Sequence, residues 1–177
     1  MRGAWRARRA KRIVVATGAL ERPLTFANND TPGVMLAGAV RDYIRLWGVL
    51  PGSRAVVVAN NDDAYRTAIA LNEAGAKVAA VLDVRGEATG ALAEQVRALQ
   101  IPVRTGHGIG KVLGGKRVSG VEIGRITGTG QMGGTAERID CDLVAMSGGW
   151  SPVRRSSGGP SMVVSAARRC GLRVRRW

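Results

Sequence analysis

Apolar residues fall in short runs separated by turns rich in glycine, asparagine and proline, and the runs alternate between two spacings. Residues 54–59 (RAVVVA) and 77–83 (KVAAVLD) are continuous apolar stretches of the length expected for buried strands. Between them, residues 62–74 place Ala64, Ala68, Leu71 and Ala74 three or four positions apart, the stripe of an amphipathic helix closed by Gly75. The three segments predict a βαβ unit of about 30 residues. A helix over residues 87–99, with Leu92, Val96 and Leu99 inward, and a short strand at 102–105 extend the pattern. Crossovers between parallel strands are right-handed, so these three strands are expected in the spatial order 3-2-1.

Upstream, residues 11–18 (KRIVVATG) read as a buried strand ended by glycine, with no sheet partner before it in the chain. Residues 20–32 form a loop, and residues 33–47 read as a helix with Leu36, Ala39, Val40, Tyr43 and Trp47 at helical spacing, Pro32 at the first turn and Gly48 past the end. Tyr43 and Trp47 are expected to anchor the core. From residue 106 to 138 the text becomes glycine-punctuated alternation, as in RVSGVEIGRI at 117–126, the pattern of an antiparallel meander. Residues 138–149 then give a further strand ending in Gly148 and Gly149. After Pro152 the period dissolves, although residues 162–167 hold enough apolar positions for a short strand or helical turn. The fold class that follows is α/β, a Rossmann-like parallel sheet with an antiparallel meander.

Composition supports one ordinary domain: 177 residues, 45% of them apolar, with 25 glycines and a single Phe. The net charge of +14 raises a nucleic-acid reading, and its placement confines that reading to the two ends, where solvated basic segments are the favoured alternative. Residues 1–12 carry six basic side chains and no acid, and residues 151–177 carry seven and no acid, so thirteen of the fourteen excess charges lie at the two ends. The body is nearly neutral, and nucleic acid is not the expected partner. Cys141 and Cys170 form no C-x-x-C pair, which leaves a reduced, cytoplasmic chain as the expectation. Arginines precede the apolar residues 13–20 as in a secretory signal, but that run is short and is followed by Glu21, Arg22 and Pro23. No apolar run reaches the roughly 20 residues needed to cross a bilayer.

A dinucleotide site on such a sheet needs a strand, a tight turn, a helix N-terminus whose N–H groups and dipole favour a phosphate, and an acid at the end of the next strand to hold a ribose hydroxyl. Asp83 ends that strand, nineteen residues beyond Ala64. At the turn, VVVANNDDAY (56–65), the three glycine positions of G-x-G-x-x-G fall on Ala59, Asn61 and Ala64. Ala64 suits close packing of helix on strand, whereas the Asn61 side chain occupies space that a phosphate would approach. Asp62 and Asp63 read as helix caps that place negative charge where a diphosphate would bind. The candidate cofactor-binding residues are Ala59, Asn60, Asn61, Asp62, Ala64, Asp83, Gly148 and Gly149. His107 stands alone between glycines, no metal-ligand spacing occurs, and Ser147, Ser151 and Ser156 lack a G-x-S-x-G elbow.

Four motifs in order, ATGALERP (16–23), FANNDTPGVM (26–35), NNDDAYR (60–66) and SGGWSP (147–152), resemble the middle of the alpha subunit of bacterial heterotetrameric sarcosine oxidase, over about residues 9–153. The resemblance implies part of a two-dinucleotide-binding-domain flavoprotein fold, in which Thr17-Gly18 and Gly148-Gly149 mark the crossovers to a first domain. It implies NAD bound by this subunit, FAD in the beta subunit and FMN held between the two. The beta, gamma and delta subunits would be the partners, in oxidative demethylation of sarcosine with oxygen as acceptor. A tetrahydrofolate site belongs to a part of that family absent here, and no residue matches a catalytic position, so the segment alone is expected not to be catalytic. The expected organisation is a basic segment and crossover strand at 1–19, an NAD-binding Rossmann-like domain at 20–150, and an Arg-rich tail at 151–177, disordered or read out of frame. The competing expectation is a non-catalytic interaction module whose degenerate turn no longer binds nucleotide.

Overall fold

The computed structural model describes residues 17–128 and 130–153, in two compact units, one of them Glu21–Gly149 and the other taking in residues 17–20 and 150–153. In chain order the elements are β1 (Ala19–Glu21), β2 (Val34–Leu36), α1 (Ala37–Trp47), β3 (Arg54–Ala59), α2 (Asp63–Glu73), β4 (Lys77–Asp83), α3 (Ala91–Ala98), β5 (Val103–Thr105), β6 (His107–Leu113), β7 (Gly120–Ile126), β8 (Met132–Ile139), β9 (Leu143–Ser147) and β10 (Trp150–Pro152). β1 and β10 form a two-stranded sheet. The basic segment at 1–12, residues 11–16 of the expected first strand and the tail from 154, including 162–167, lie outside the described residues.

Glu21–Gly149 is built on a five-stranded parallel sheet of order β2-β9-β3-β4-β5. The expected order of the three strands 54–59, 77–83 and 102–105 is therefore observed, with β9 on the far side of β3. Strand alternation divides the core in two. Ala55, Val57 and Ala59 of β3 and Leu143 and Ala145 of β9 face a layer made with Val40 of α1, Ala64, Ala68 and Leu71 of α2 and Val96 of α3. Val56 and Val58 of β3 and Val144 and Met146 of β9 face Ile109, Val112, Val121 and Ile123 of the antiparallel sheet β6-β7-β8. A strand buried on both faces reads as a continuous apolar run, which is why the pattern at 54–59 located β3 to the residue.

Three expectations are corrected. Residues 33–47 are not one helix, because Val34–Leu36 pair in parallel with β9 and the helix begins at Ala37. Gly33 explains the break: its φ is +104°, and its carbonyl accepts the Val144 amide at 2.8 Å, so this backbone is bonded to the sheet before a helical turn can form. Tyr43 and Trp47 do not anchor the core. They are 40% and 65% exposed and meet edge to face with ring centroids 5.1 Å apart. The stripe of α1 facing the sheet is instead Ala37, Val40 and Ile44. The helix expected over 87–99 is shorter, starting at Ala91 behind Gly90 at φ +121°, and Leu99 stays 40% exposed beyond its end.

Candidate functional site

Strand register assembles the site. Ala59 of β3 pairs with Asp83 of β4 on one side and Ser147 of β9 on the other, so three strands end flush, and all three residues are fully buried. The chain reverses from β3 into α2 through residues 60–62 directly above that row. In an open parallel sheet ligands bind outside the carboxyl ends of the strands, and here that edge is formed by β9, β3 and β4.

The two asparagines fasten this turn to β9. The Asn60 amide N–H donates to the Ser147 carbonyl at 3.2 Å, and Asn60 Nδ2 to the Gly148 carbonyl at 3.1 Å. Asn61 Nδ2 donates to the Ser147 carbonyl at 3.2 Å and to Ser147 Oγ at 3.0 Å. Neither asparagine is left-handed, since Asn28 and Gln100 are the only non-glycine residues with positive φ among those described. The turn therefore has no conformational need for glycine.

Capping differs from expectation. Asp62 occupies the N-cap position of α2 but makes no side-chain cap, and Asn61 Oδ1 instead accepts the Asp63 amide N–H at 3.1 Å. An Asx turn satisfies one leading N–H, and the two aspartates are left to pair with arginines. Asp62 Oδ1 lies 2.8 Å from Arg85 Nη2, Asp63 Oδ2 lies 2.9 Å from Arg41 Nη2, and Arg66 Nε approaches Asp63 Oδ1 at 3.5 Å. The acid repulsion inferred from sequence is compensated on the spot.

Asp83 stands at the expected strand end, held on all sides. Its Oδ2 accepts the Tyr65 hydroxyl at 2.8 Å and Arg85 Nη2 at 2.7 Å, and its Oδ1 accepts the Arg85 backbone N–H and Nε at 3.0 Å each. The fork geometry is that of a strong bidentate pair. The hydrogen bond to Asp83 first, and Asp62 after it, raise Arg85 above its ordinary value, while burial and then Asp83 raise the Tyr65 phenol. Tyr65, Arg85, Ser147 and Arg41 went unrecognised as site residues in the sequence. An arginine two positions past a strand-end acid was the one available signal, whereas the Tyr65 and Ser147 contacts depend on register.

Ala64 lies 1% exposed in the helix layer, the small residue that close packing of α2 on the sheet requires. Gly148 and Gly149 are required by backbone. A Cβ on Gly148 would stand 2.8 Å from the carbonyl oxygens of both Arg22 and Pro23, and Gly149 has φ +95°. The Gly148 N–H donates to the Arg22 carbonyl at 2.7 Å, and the Arg22 N–H to the Gly149 carbonyl at 2.8 Å. Beside them Glu21 Oε2 accepts the Gly38 amide at 2.8 Å, supplying a cap that Leu36 cannot give α1, and burial raises its carboxyl above the ordinary value. His107 Nδ1 sits 2.7 Å from the Thr105 carbonyl, and among the described residues no three His, Cys, Asp or Glu side chains converge as for a metal.

No family model matches the chain. The alpha subunit of sarcosine oxidase from Corynebacterium sp. (strain P-1) is 41% identical over 147 residues, 82% of this chain, and that from Rhizobium meliloti (strain 1021) is 38% identical over 144 residues, 81% of it. The chain is a homologue of sarcosine oxidase alpha subunits. It spans only 15% and 13% of those two relatives. Among solved structures, the thioredoxin reductase of T. acidophilum aligns with a TM-score of 0.59 at 17% identity, covering 84% of this chain and 50% of that one, a likeness of fold. No described helix is long and apolar enough to cross a membrane.

Proposed function

We propose that this chain is the dinucleotide-binding part of a sarcosine oxidase-type alpha subunit, holding NAD at the C-terminal edge of β9, β3 and β4. The observation that carries the reading is the turn at residues 60–63, placed at the C-terminal ends of the paired strands β3 and β9 with its carboxylates matched by Arg41, Arg66 and Arg85. The residues fit a pyrophosphate through the N–H groups of the first turn of α2 that Asn61 Oδ1 leaves free and the positive end of the helix dipole, with the Nδ2 groups of Asn60 and Asn61 turned back on β9. The nucleotide supplies a hydride-accepting nicotinamide when bound. This chain's residues orient it and support neighbouring subunits, with FAD, FMN and the oxidation of sarcosine belonging to a cytoplasmic assembly with beta, gamma and delta subunits. In this reading residues 20–150 are the NAD-binding domain, and residues 1–19 and 151–177 are extensions beyond it. Isothermal titration of the chain with NAD+ is expected to give saturable heat, and its absence in both the chain and the assembled enzyme rejects the site.

A second reading has its own support. The turn is complete without a ligand, because Asn60 and Asn61 bridge β3 to β9 and Asp83 has no open acceptor position, as an interaction module that has lost its nucleotide would look. Asn61→Gly discriminates the two. If NAD binds, removing the side chain changes its affinity as well as stability; if the module is empty, stability alone falls.

A further inference from the structure

We propose that Asp62, and not the strand-end Asp83, is the carboxylate that accepts the adenosine ribose hydroxyl, making the site selective for a dinucleotide without a 2′-phosphate. The inference rests on the NAD-binding reading above and names the specificity-determining residue within it. A carboxylate offers about four acceptor positions. Asp83 has filled them with the Tyr65 hydroxyl and three N–H groups of Arg85, and it is 0% exposed. A ribose hydroxyl reaching it would have to displace one of these.

Arg85 carries the position outward. Its Nη2 lies 2.7 Å from Asp83 Oδ2 and 2.8 Å from Asp62 Oδ1, one proton for each, so the buried acid fixes the guanidinium and the guanidinium fixes Asp62. The Asp62 side chain is 58% exposed. Its second oxygen, Oδ2, faces the turn before α3, where a Cβ built on Gly90 would approach it no closer than 4.0 Å. An acceptor is thus held open beside the N-terminus of α2. Asp62 is free for this role because Asn61 has taken over the cap. Asp62, Asp63 and Asp83 together are matched by Arg41, Arg66 and Arg85, so the discrimination lies at Asp62 Oδ2 itself, a carboxylate oxygen that accepts a hydroxyl proton and repels a 2′-phosphate oxygen brought against it.

Titration calorimetry of the full chain with NAD+ and NADP+ tests the assignment, using wild type, Asp62→Asn and Asp83→Asn, with thermal denaturation of each unliganded protein. Wild type is expected to prefer NAD+ by about tenfold or more, as one mismatched charged hydrogen bond implies. Asp62→Asn narrows the preference about tenfold, by weakening NAD+ and relieving NADP+, at nearly unchanged melting temperature. Asp83→Asn lowers the melting temperature and leaves the preference in place. An unchanged preference in Asp62→Asn, a preference shifted by Asp83→Asn instead, or NADP+ binding wild type as well as NAD+ overturns the inference while leaving nucleotide binding intact. Failure of wild type to bind either dinucleotide, as the chain and in the assembled enzyme, overturns the NAD-binding reading and this inference together.

Discussion

Tyr65→Phe deletes one oxygen from a side chain that is 0% exposed, leaving the ring and its packing in place. The lost contact is a hydroxyl donating at 2.8 Å to a fully buried carboxylate, the kind of charged hydrogen bond worth about 1.5–3 kcal/mol. Arg85 Nη2 still reaches the same Asp83 oxygen at 2.7 Å, so about 2 kcal/mol is the expected loss. In urea unfolding that is a midpoint shift of about 1 M. The second readout is alkaline. Burial and Asp83 raise the Tyr65 phenol above its ordinary value of 10.0, so the unfolded chain gives up this proton before the folded one does. Stability from the tyrosine is then full below pH 10.0 and is lost as pH rises through the higher folded value, at up to about 1.4 kcal/mol per pH unit. Phenylalanine has no such proton, so the gap between wild type and variant should shrink above pH 10.0. Cys141, a buried thiol pushed up to about 12, titrates in both proteins and cancels from the difference. Equal urea midpoints at neutral pH, or a gap constant through about pH 11, would refute the buried Tyr65–Asp83 contact.

Gly148→Ala places a methyl 2.8 Å from two backbone carbonyls that cannot rotate away, and chemical denaturation should show a loss of about 1–3 kcal/mol. Burial alone would raise the Asp142 carboxyl, but hydrogen bonds from Ser53 Oγ at 2.6 Å, the Ser53 N–H at 2.9 Å and the Arg54 N–H at 2.8 Å hold it below its ordinary value of 3.8. Its stabilisation is present above 3.8 and lost as pH falls through the folded value, so Asp142→Asn should flatten acid unfolding below about pH 4. Trp47→Ala removes a 65% exposed ring whose aromatic partner is Tyr43, and should cost about 0.5–1.5 kcal/mol by thermal unfolding. A loss several times larger would place Trp47 in the core after all.

Strands buried on both faces were legible to the residue, as at 54–59 and 77–83, because their apolar runs are continuous and end in turn residues. β2 was hidden because three residues cannot establish a period, and Val34 to Leu36 also fit the helical spacing that follows them. Tyr43 and Trp47 misled for a related reason: a second apolar stripe runs beside Ala37, Val40 and Ile44, and periodicity alone cannot say which stripe meets the sheet. At the site, the strand-end acid and small Ala64 followed from local spacing. The partners of Asp83 did not, since Tyr65 is 18 residues away in sequence and reaches it only across the β3–α2–β4 unit.

The glycine-free turn is a different solution to the problem that glycines solve elsewhere. A glycine there relieves crowding under a phosphate and permits unusual backbone angles. Asn60 and Asn61 adopt ordinary angles, so the second benefit is not needed, and their Nδ2 groups lie toward β9 while Asn61 Oδ1 caps the N-terminus of α2. Four side-chain and backbone hydrogen bonds then tie the end of β3 to Ser147 and Gly148. The same arrangement explains the paired aspartates. With Asn61 Oδ1 on the Asp63 amide, neither carboxylate is held by the helix, and each can hold an arginine, Asp63 pairing with Arg41 and Asp62 with the Arg85 that Asp83 also holds. Substituting glycines into this turn would therefore remove the three side-chain bonds of the β3–β9 tie and the cap together, leaving the backbone bond at residue 60, and with the cap gone Asp62 and Asp63 would compete with their arginines for the free N–H groups of α2.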